Sequence, residues 1–286
     1  MNYRSLVGAI TLAALAMPLA GVGGVAAGEE MRYPPNWGGR WTRVVHREVE
    51  IQGAFDQTRP FGRGQQAPLT AEYQQAHKQS MDDQAAGGLG NYPTATCRPS
   101  GMPRMMTFGS QEYVITPEVT YLILSGSDHL RRIYTDGRDW PKTPVATYGG
   151  YTIGRWIDTD GDGAYDLLDT ETRYFKGPRA FDASGLPTAI DNRSVFKEQF
   201  FVDKNDVMHI LTTVIDNALT RPWTSDRQYL HAEKAVVQWP ETWCQEGNAN
   251  VIVGNENYFV RADGLLMPAK PNQTPPDLKY FKPSQK

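Results

Sequence analysis

From Arg104 onward, apolar and polar residues alternate with a period of two. That repeat sends successive side chains to opposite faces of a β-strand. It predicts strands at 105–108, 118–124, 130–135, 147–157, 165–175, 194–202, 208–216 and 234–239. Turn sequences separate several of them: Ser125-Gly126-Ser127-Asp128, Asp136-Gly137 and Asp203-Lys204-Asn205-Asp206. Short connections make consecutive strands antiparallel neighbours. The predicted fold class is therefore all-β, an antiparallel meander closing into a lipocalin-like β-barrel. About eight strands would leave an interior wide enough for one small ligand.

The pattern is different before and after this core. Residues 28–104 are rich in Gly, Pro, Gln and Arg and show little periodicity. They read as an extended N-terminal wrap with a possible strand at 43–51. One short helix is predicted over 68–79, capped by Thr70 and ended by Gly87-Gly88-Leu89-Gly90. The barrel core is expected over 105–249. Residues 250–286 read as a tail on the same domain, with a weak strand at 257–261. The loop 176–192, with Gly177-Pro178 and Gly185-Leu186-Pro187, is expected to fold over a barrel mouth.

Residues 1–27 combine a basic start, an apolar run from Leu6 to Leu19 and a small-residue end at Val25-Ala26-Ala27. This predicts a signal peptide and a periplasmic or secreted mature chain with no membrane insertion. Export makes a disulfide the expected state of the only two cysteines, Cys97 and Cys244. Closing so long a loop would stabilise by roughly 4–5 kcal/mol in the chain-entropy model. The net charge of −3 and pI near 6.0, without a basic block, argue against nucleic acid as a partner.

The sharpest chemical signal is the acidic loop Asp158-Thr159-Asp160-Gly161-Asp162-Gly163-Ala164-Tyr165-Asp166-Leu167-Leu168-Asp169. Asp158, Asp160, Asp162, Asp166 and Asp169, with the Ala164 carbonyl, match the ligand spacing of a calcium loop, and Gly163 suits its sharp turn. Strands on both sides replace the helices of an EF-hand. A bound ion is therefore expected to be structural, stiffening a hairpin tip. The alternative is a polar hairpin, since Asp-Gly is a common tight-turn pair.

A second candidate lies on the 194–202 strand, where Phe196, Glu198, Phe200 and Val202 share a face. A carboxylate among phenylalanines either pairs with a cation or carries a raised pKa. Arg132, Tyr134 and Asp136 share a face of a neighbouring segment, and Arg155 and Trp156 lie on the next. These residues are expected to line a ligand site with Phe196, Phe200 and the loop residue Arg179. In an enzyme, Glu198 or Asp136 would be the base, and Tyr134 or an arginine would stabilise developing negative charge. A structural Glu–Arg pair is the competing reading. The five histidines have no metal-ligand spacing, and no Gly-x-Ser-x-Gly elbow or phosphate loop occurs.

Several stretches together carry a resemblance. They are Asn36-Trp37-Gly38-Gly39-Arg40-Trp41, Pro68 to Tyr73, Cys97 to Met105 (with Gly101-Met102-Pro103-Arg104-Met105), Arg132 to Arg138, Ile153-Gly154-Arg155-Trp156, Phe196 to Phe200 and Asp216 to Trp223 (with Thr220-Arg221-Pro222-Trp223). On these the chain resembles a group of exported bacterial β-rich proteins of unassigned activity. The resemblance implies export and a β-rich fold, and supplies no reaction. Three functions follow as expectations. The first is binding of a small apolar or aromatic ligand inside the barrel. The second is a lyase, isomerase or hydrolase on the same scaffold, with no organic cofactor. The third is a calcium-dependent glycan-binding module.

Overall fold

The computed structural model describes residues 31–44, 67–91, 94, 97–107, 109–125, 130–182, 184–232, 249–261 and 263–274. Nine strands form one closed barrel: β1 (Arg40–Arg43), β2 (Ser110–Ile115), β3 (Val119–Leu124), β4 (Leu130–Tyr134), β5 (Tyr151–Ile157), β6 (Leu167–Arg173), β7 (Val195–Val202), β8 (Val207–Ile215) and β9 (Trp223–His231). The all-β barrel expected from the period-two pattern is thus present, with one α-helix among the described residues, α1 (Ala71–Ala85).

Closure requires a departure from a pure meander. An odd ring of strands cannot alternate direction all the way round, so at least one neighbouring pair must run parallel. That pair is β4–β5, matched at Ile133–Thr152 and Tyr134–Ile153. The chain between them, residues 135–150, is the crossover such a pair needs. Every other neighbouring pair is antiparallel, including β1–β9, which closes the ring.

The wrap is more than a wrap, because it supplies β1. β1 meets the strand expected at 43–51 only at Arg43, and residues 45–51 lie outside the described residues. The segment expected as a strand at 105–108 instead makes a 3-10 turn, Arg104–Met106. β2 and β9 had no sequence assignment. Both carry buried polar residues on the inward face (Gln111 on β2, Ser225 and Arg227 on β9), which weakens the alternation. The tail holds a separate three-stranded sheet of β10 (Asn250–Val253), β11 (Glu256–Val260) and β12 (Leu266–Pro268). The strand expected at 234–239 and the segment expected to be a signal peptide lie outside the described residues. So does Cys244, and no free cysteine occurs among the described residues. No helix among the described residues is long and apolar enough to cross a membrane.

Aromatic residues pack at both ends of the barrel. At the end marked by the β5–β6 hairpin, Tyr33 and Trp37 pack on Trp156, with ring centroids 5.7 and 4.8 Å apart, and Trp37 continues to Tyr113 at 5.2 Å. At the other end, the loop 176–192 folds back and sets Phe181 on Trp223 at 5.4 Å. Phe196, Phe200, Leu122, Ile133, Leu168, Met208 and Ile210 are fully buried between these plugs. The interior is a packed core.

Candidate functional site

The barrel core contains a polar layer. Glu198 has no solvent exposure, and Arg131 on β4 meets it with both terminal nitrogens. Arg131 also donates to the Thr172 hydroxyl at 3.0 Å, and Thr172 shares a hydrogen bond with Thr152 at 2.9 Å. Thr212 lies directly across from Glu198 on β8. Tyr113, Arg227 and Tyr229 complete the layer, all buried. Burial pushes the Tyr113 hydroxyl pKa well up. The fields of Tyr229 and Glu198 add to this, while Arg131 and the nearby Gln111 amide oppose it. Tyr229 is also raised, chiefly by burial, with Arg227 and Arg43 opposing. Burial in turn lowers Arg227, with Tyr229 and Glu198 holding it up. At neutral pH both phenols are therefore neutral.

The expected partners of Glu198 are on the opposite side of the wall. The inward residues of β4 are Arg131 and Ile133, so Arg132 is exposed and lies over Tyr121, 5.9 Å from the ring centroid. Tyr134 faces outward and stacks on Tyr151 at 4.9 Å, under the Arg138 guanidinium at 4.0 Å. Asp136 pairs with Arg138 at 2.6 Å outside the barrel, and that hydrogen bond lowers its pKa. Arg155 is exposed and opposes Asp169 across β5–β6. The set Glu198, Tyr134, Asp136, Arg132 and Arg155 is therefore not brought together. A carboxylate paired to an arginine was the right kind of contact with the wrong arginine. In Arg131-Arg132 one side chain must face each way, and only the register of β4 against β3 decides which. Phe196, Phe200 and Trp156 do face inward, and Trp156 donates its indole N–H to Thr120 at 3.1 Å.

The acidic loop is the tip of the β5–β6 hairpin. Asp158, Asp160 and Asp162 place carboxylate oxygens within 4.8 Å of one another. Burial opposes ionisation of Asp158, but amide hydrogens donated by Gly161, Gly163 and Asp162 outweigh it and lower its pKa. Gly163 takes the left-handed conformation, φ +81°, that the sharp turn demands. The other expected ligands are used elsewhere. Asp166 accepts the Thr159 amide at 3.0 Å and its hydroxyl. Asp169 lies within β6 with Gln199 as neighbour at 3.4 Å. Ala164 forms a bridge with Arg32, whose amide donates to Gly163 O at 3.2 Å. Three of the six expected ligand positions converge.

A groove of about 420 Å³ lies outside the barrel, between α1, the 178–190 loop and β10. Its walls include Tyr73, Leu89, Pro178, Pro187, Ile190 and Ile252, and Arg98 and Arg179 also line it. Tyr73 holds one wall in place by accepting the Ile190 amide at 3.2 Å. Arg179 was expected as a loop residue, and it is buried. It donates to Met102 O at 2.9 Å and to Ser194 Oγ at 2.8 Å, and stacks on Phe175 at 4.2 Å. Ser194 Oγ donates onward to Asp216, which also accepts the Ala189 and Ala218 amides at 2.9 and 2.8 Å. Burial lowers the Arg179 pKa to about 10, with Asp216 and Asp191 opposing, so it stays charged at neutral pH. Arg98 is exposed. The groove was not legible in the sequence, because its walls come from four separate segments.

No protein-family model matches the chain, and no curated protein matches it. The packed barrel core, the hairpin carboxylates and the two-arginine groove are therefore what a functional reading has to explain.

Proposed function

We propose that this is an exported binding protein for a small, largely apolar molecule with one anionic group, held in the groove between α1 and the 178–190 loop. The carrying observation is the pairing of apolar walls with Arg98 and Arg179 in a space of about 420 Å³, within the range of small-molecule sites. Because the barrel interior is packed, this reading takes the ligand to lie on the outer face and not at the barrel centre, where the sequence alone would put it. Asp216 already compensates much of the Arg179 charge, so Arg98 is the dominant anion partner. Ile190, 82% exposed, gains cover when an apolar chain lies against it.

Decanoate and its neutral counterpart decanol test the reading by calorimetric titration. Decanoate is expected to bind more tightly than decanol. Arg98→Ala is expected to weaken decanoate roughly tenfold, about 1.4 kcal/mol, and to leave decanol unchanged. Equal binding of the two probes by the unaltered protein, or no binding of either, would overturn it.

The convergence of Asp158, Asp160 and Asp162 favours a second, separate role, a structural calcium at the hairpin tip. Water and backbone oxygens would have to complete its coordination, since Asp166 and Asp169 are engaged elsewhere. Its signature is a melting temperature that rises with calcium.

A further inference from the structure

The polar layer of the barrel holds hydrogen-bonding groups that the described residues leave without a well-formed partner. Among the described residues, the Thr212 hydroxyl and Arg131 Nε have no hydrogen-bond partner, and the Gln111 amide and Tyr113 hydroxyl, though close enough to influence one another, form no hydrogen bond of good geometry with each other or with any other group. All four residues are more than nine-tenths buried, with Thr212 at 0% and Gln111 at 1%. They also belong to one neighbourhood. Gln111 and Tyr113 are two residues apart on the inward face of β2, and Tyr113 reaches across to Phe200 at 6.3 Å. Phe200 is two residues from Glu198 on the inward face of β7, and Thr212 is the cross-strand partner of Glu198. Arg131 completes the set through its pair with Glu198.

Leaving one such group dry is costly, and several in one layer would be a large burden on a core that otherwise packs well. A buried water satisfies about three such groups at once. The groups here suit water, because they offer both donors and acceptors: a phenol, an alcohol, an amide and a guanidinium N–H. We infer that the barrel encloses a bound-water site that joins Tyr113, Gln111 and Thr212 to the Arg131–Glu198 pair. This site is independent of the outer groove. It gives the buried carboxylate a solvated neighbourhood inside the barrel, and it gives the β2 and β8 faces a shared polar contact across the core.

Two near-isosteric substitutions distinguish a wet layer from a dry one. Thr212→Val and Tyr113→Phe each remove a hydroxyl with little change of shape. In a dry core the hydroxyl is a liability, so both variants would melt at higher temperature than the unaltered protein, and the inference would be overturned. In a hydrated core each hydroxyl is bonded, so both variants are expected to melt lower. Water-oxygen magnetic relaxation dispersion provides the second readout. The unaltered protein is expected to show long-lived internal water, with an amplitude that falls in Tyr113→Phe. If the variants do not fold, the unaltered protein still decides, because absence of any long-lived water rules the site out. A small organic molecule retained by the protein in native mass spectrometry and lost in Tyr113→Phe would assign the site to that molecule and reject water.

Discussion

Glu198 sits fully buried among phenylalanines, and what makes it tolerable there is Arg131. A buried ion pair adds little net stability over a well-packed apolar pair, but removing one partner strands the other charge. Arg131→Met alone is therefore expected to destabilise the fold by about 3–5 kcal/mol, and Glu198→Leu by a similar amount. The double variant should recover most of the loss, and urea denaturation of all four proteins measures the coupling. Equal and additive losses would show that the two side chains do not act as a pair. His77 gives a pH effect at the same scale. Its ring nitrogen contacts Ser184 Oγ at 3.1 Å, and burial lowers its pKa below the ordinary 6.5 while Asp182 opposes. As pH falls below that ordinary value, the unfolded chain takes up a proton before the folded one does, so stability declines on acidification and is fully present only above it. The fall in melting temperature between about pH 7.5 and pH 5.5 should be smaller in His77→Asn than in the unaltered protein. The same fall in both would remove His77 as a contributor.

The β5–β6 hairpin illustrates how an element limits what a motif can do. The twelve-residue spacing of Asp158 to Asp169 is that of a helix-flanked calcium loop, but the strands that flank it here resume pairing at Ile157–Leu167. Strand pairing carries Asp169 into the ladder and leaves Asp158, Asp160 and Asp162 at the tip. Calcium is therefore expected to raise the melting temperature by a few degrees, consistent with a tip ion worth about 1 kcal/mol. Asp158→Asn with Asp160→Asn should abolish the shift while leaving decanoate binding intact. A shift that survives both substitutions would place the ion elsewhere. The helix α1 shows the same dependence on context. Thr70 occupies its N-cap position as the sequence predicts, yet makes no side-chain cap bond. What secures the helix is tertiary: Gln84 donates to Ser184 O at 3.0 Å and Lys270 pairs with Asp83 at 2.7 Å.

The whole molecule depends on closing an odd ring, and the seam is β4–β5. Only two residue pairs hold it, so packing behind it must be close. Gly154 provides that closeness: a Cβ there would lie 2.5 Å from the Ile133 Cγ2 methyl and 3.3 Å from side-chain carbons of Leu168 and Thr170. Gly154→Ala is expected to cost about 1–3 kcal/mol through overpacking, read as a lower denaturation midpoint; an unchanged midpoint would mean the seam relaxes freely. The Gly154-Arg155-Trp156 stretch could be read from the sequence as part of a strand. Its role as the tight point of the barrel could not, because Ile133 reaches it through a parallel pairing that no local signal announces. By itself the sequence determined the β-rich class, most of the strands and the inward face of β7, because side-chain alternation is a local, period-two property of the backbone. It also determined that the Asp-rich segment would be a hairpin tip, since apolar alternation flanks it on both sides. Only the tertiary structure decided which of two adjacent arginines meets Glu198, which polar side chains share the core, and where four distant segments leave a groove, because register and closure are set by contacts between residues far apart in the chain.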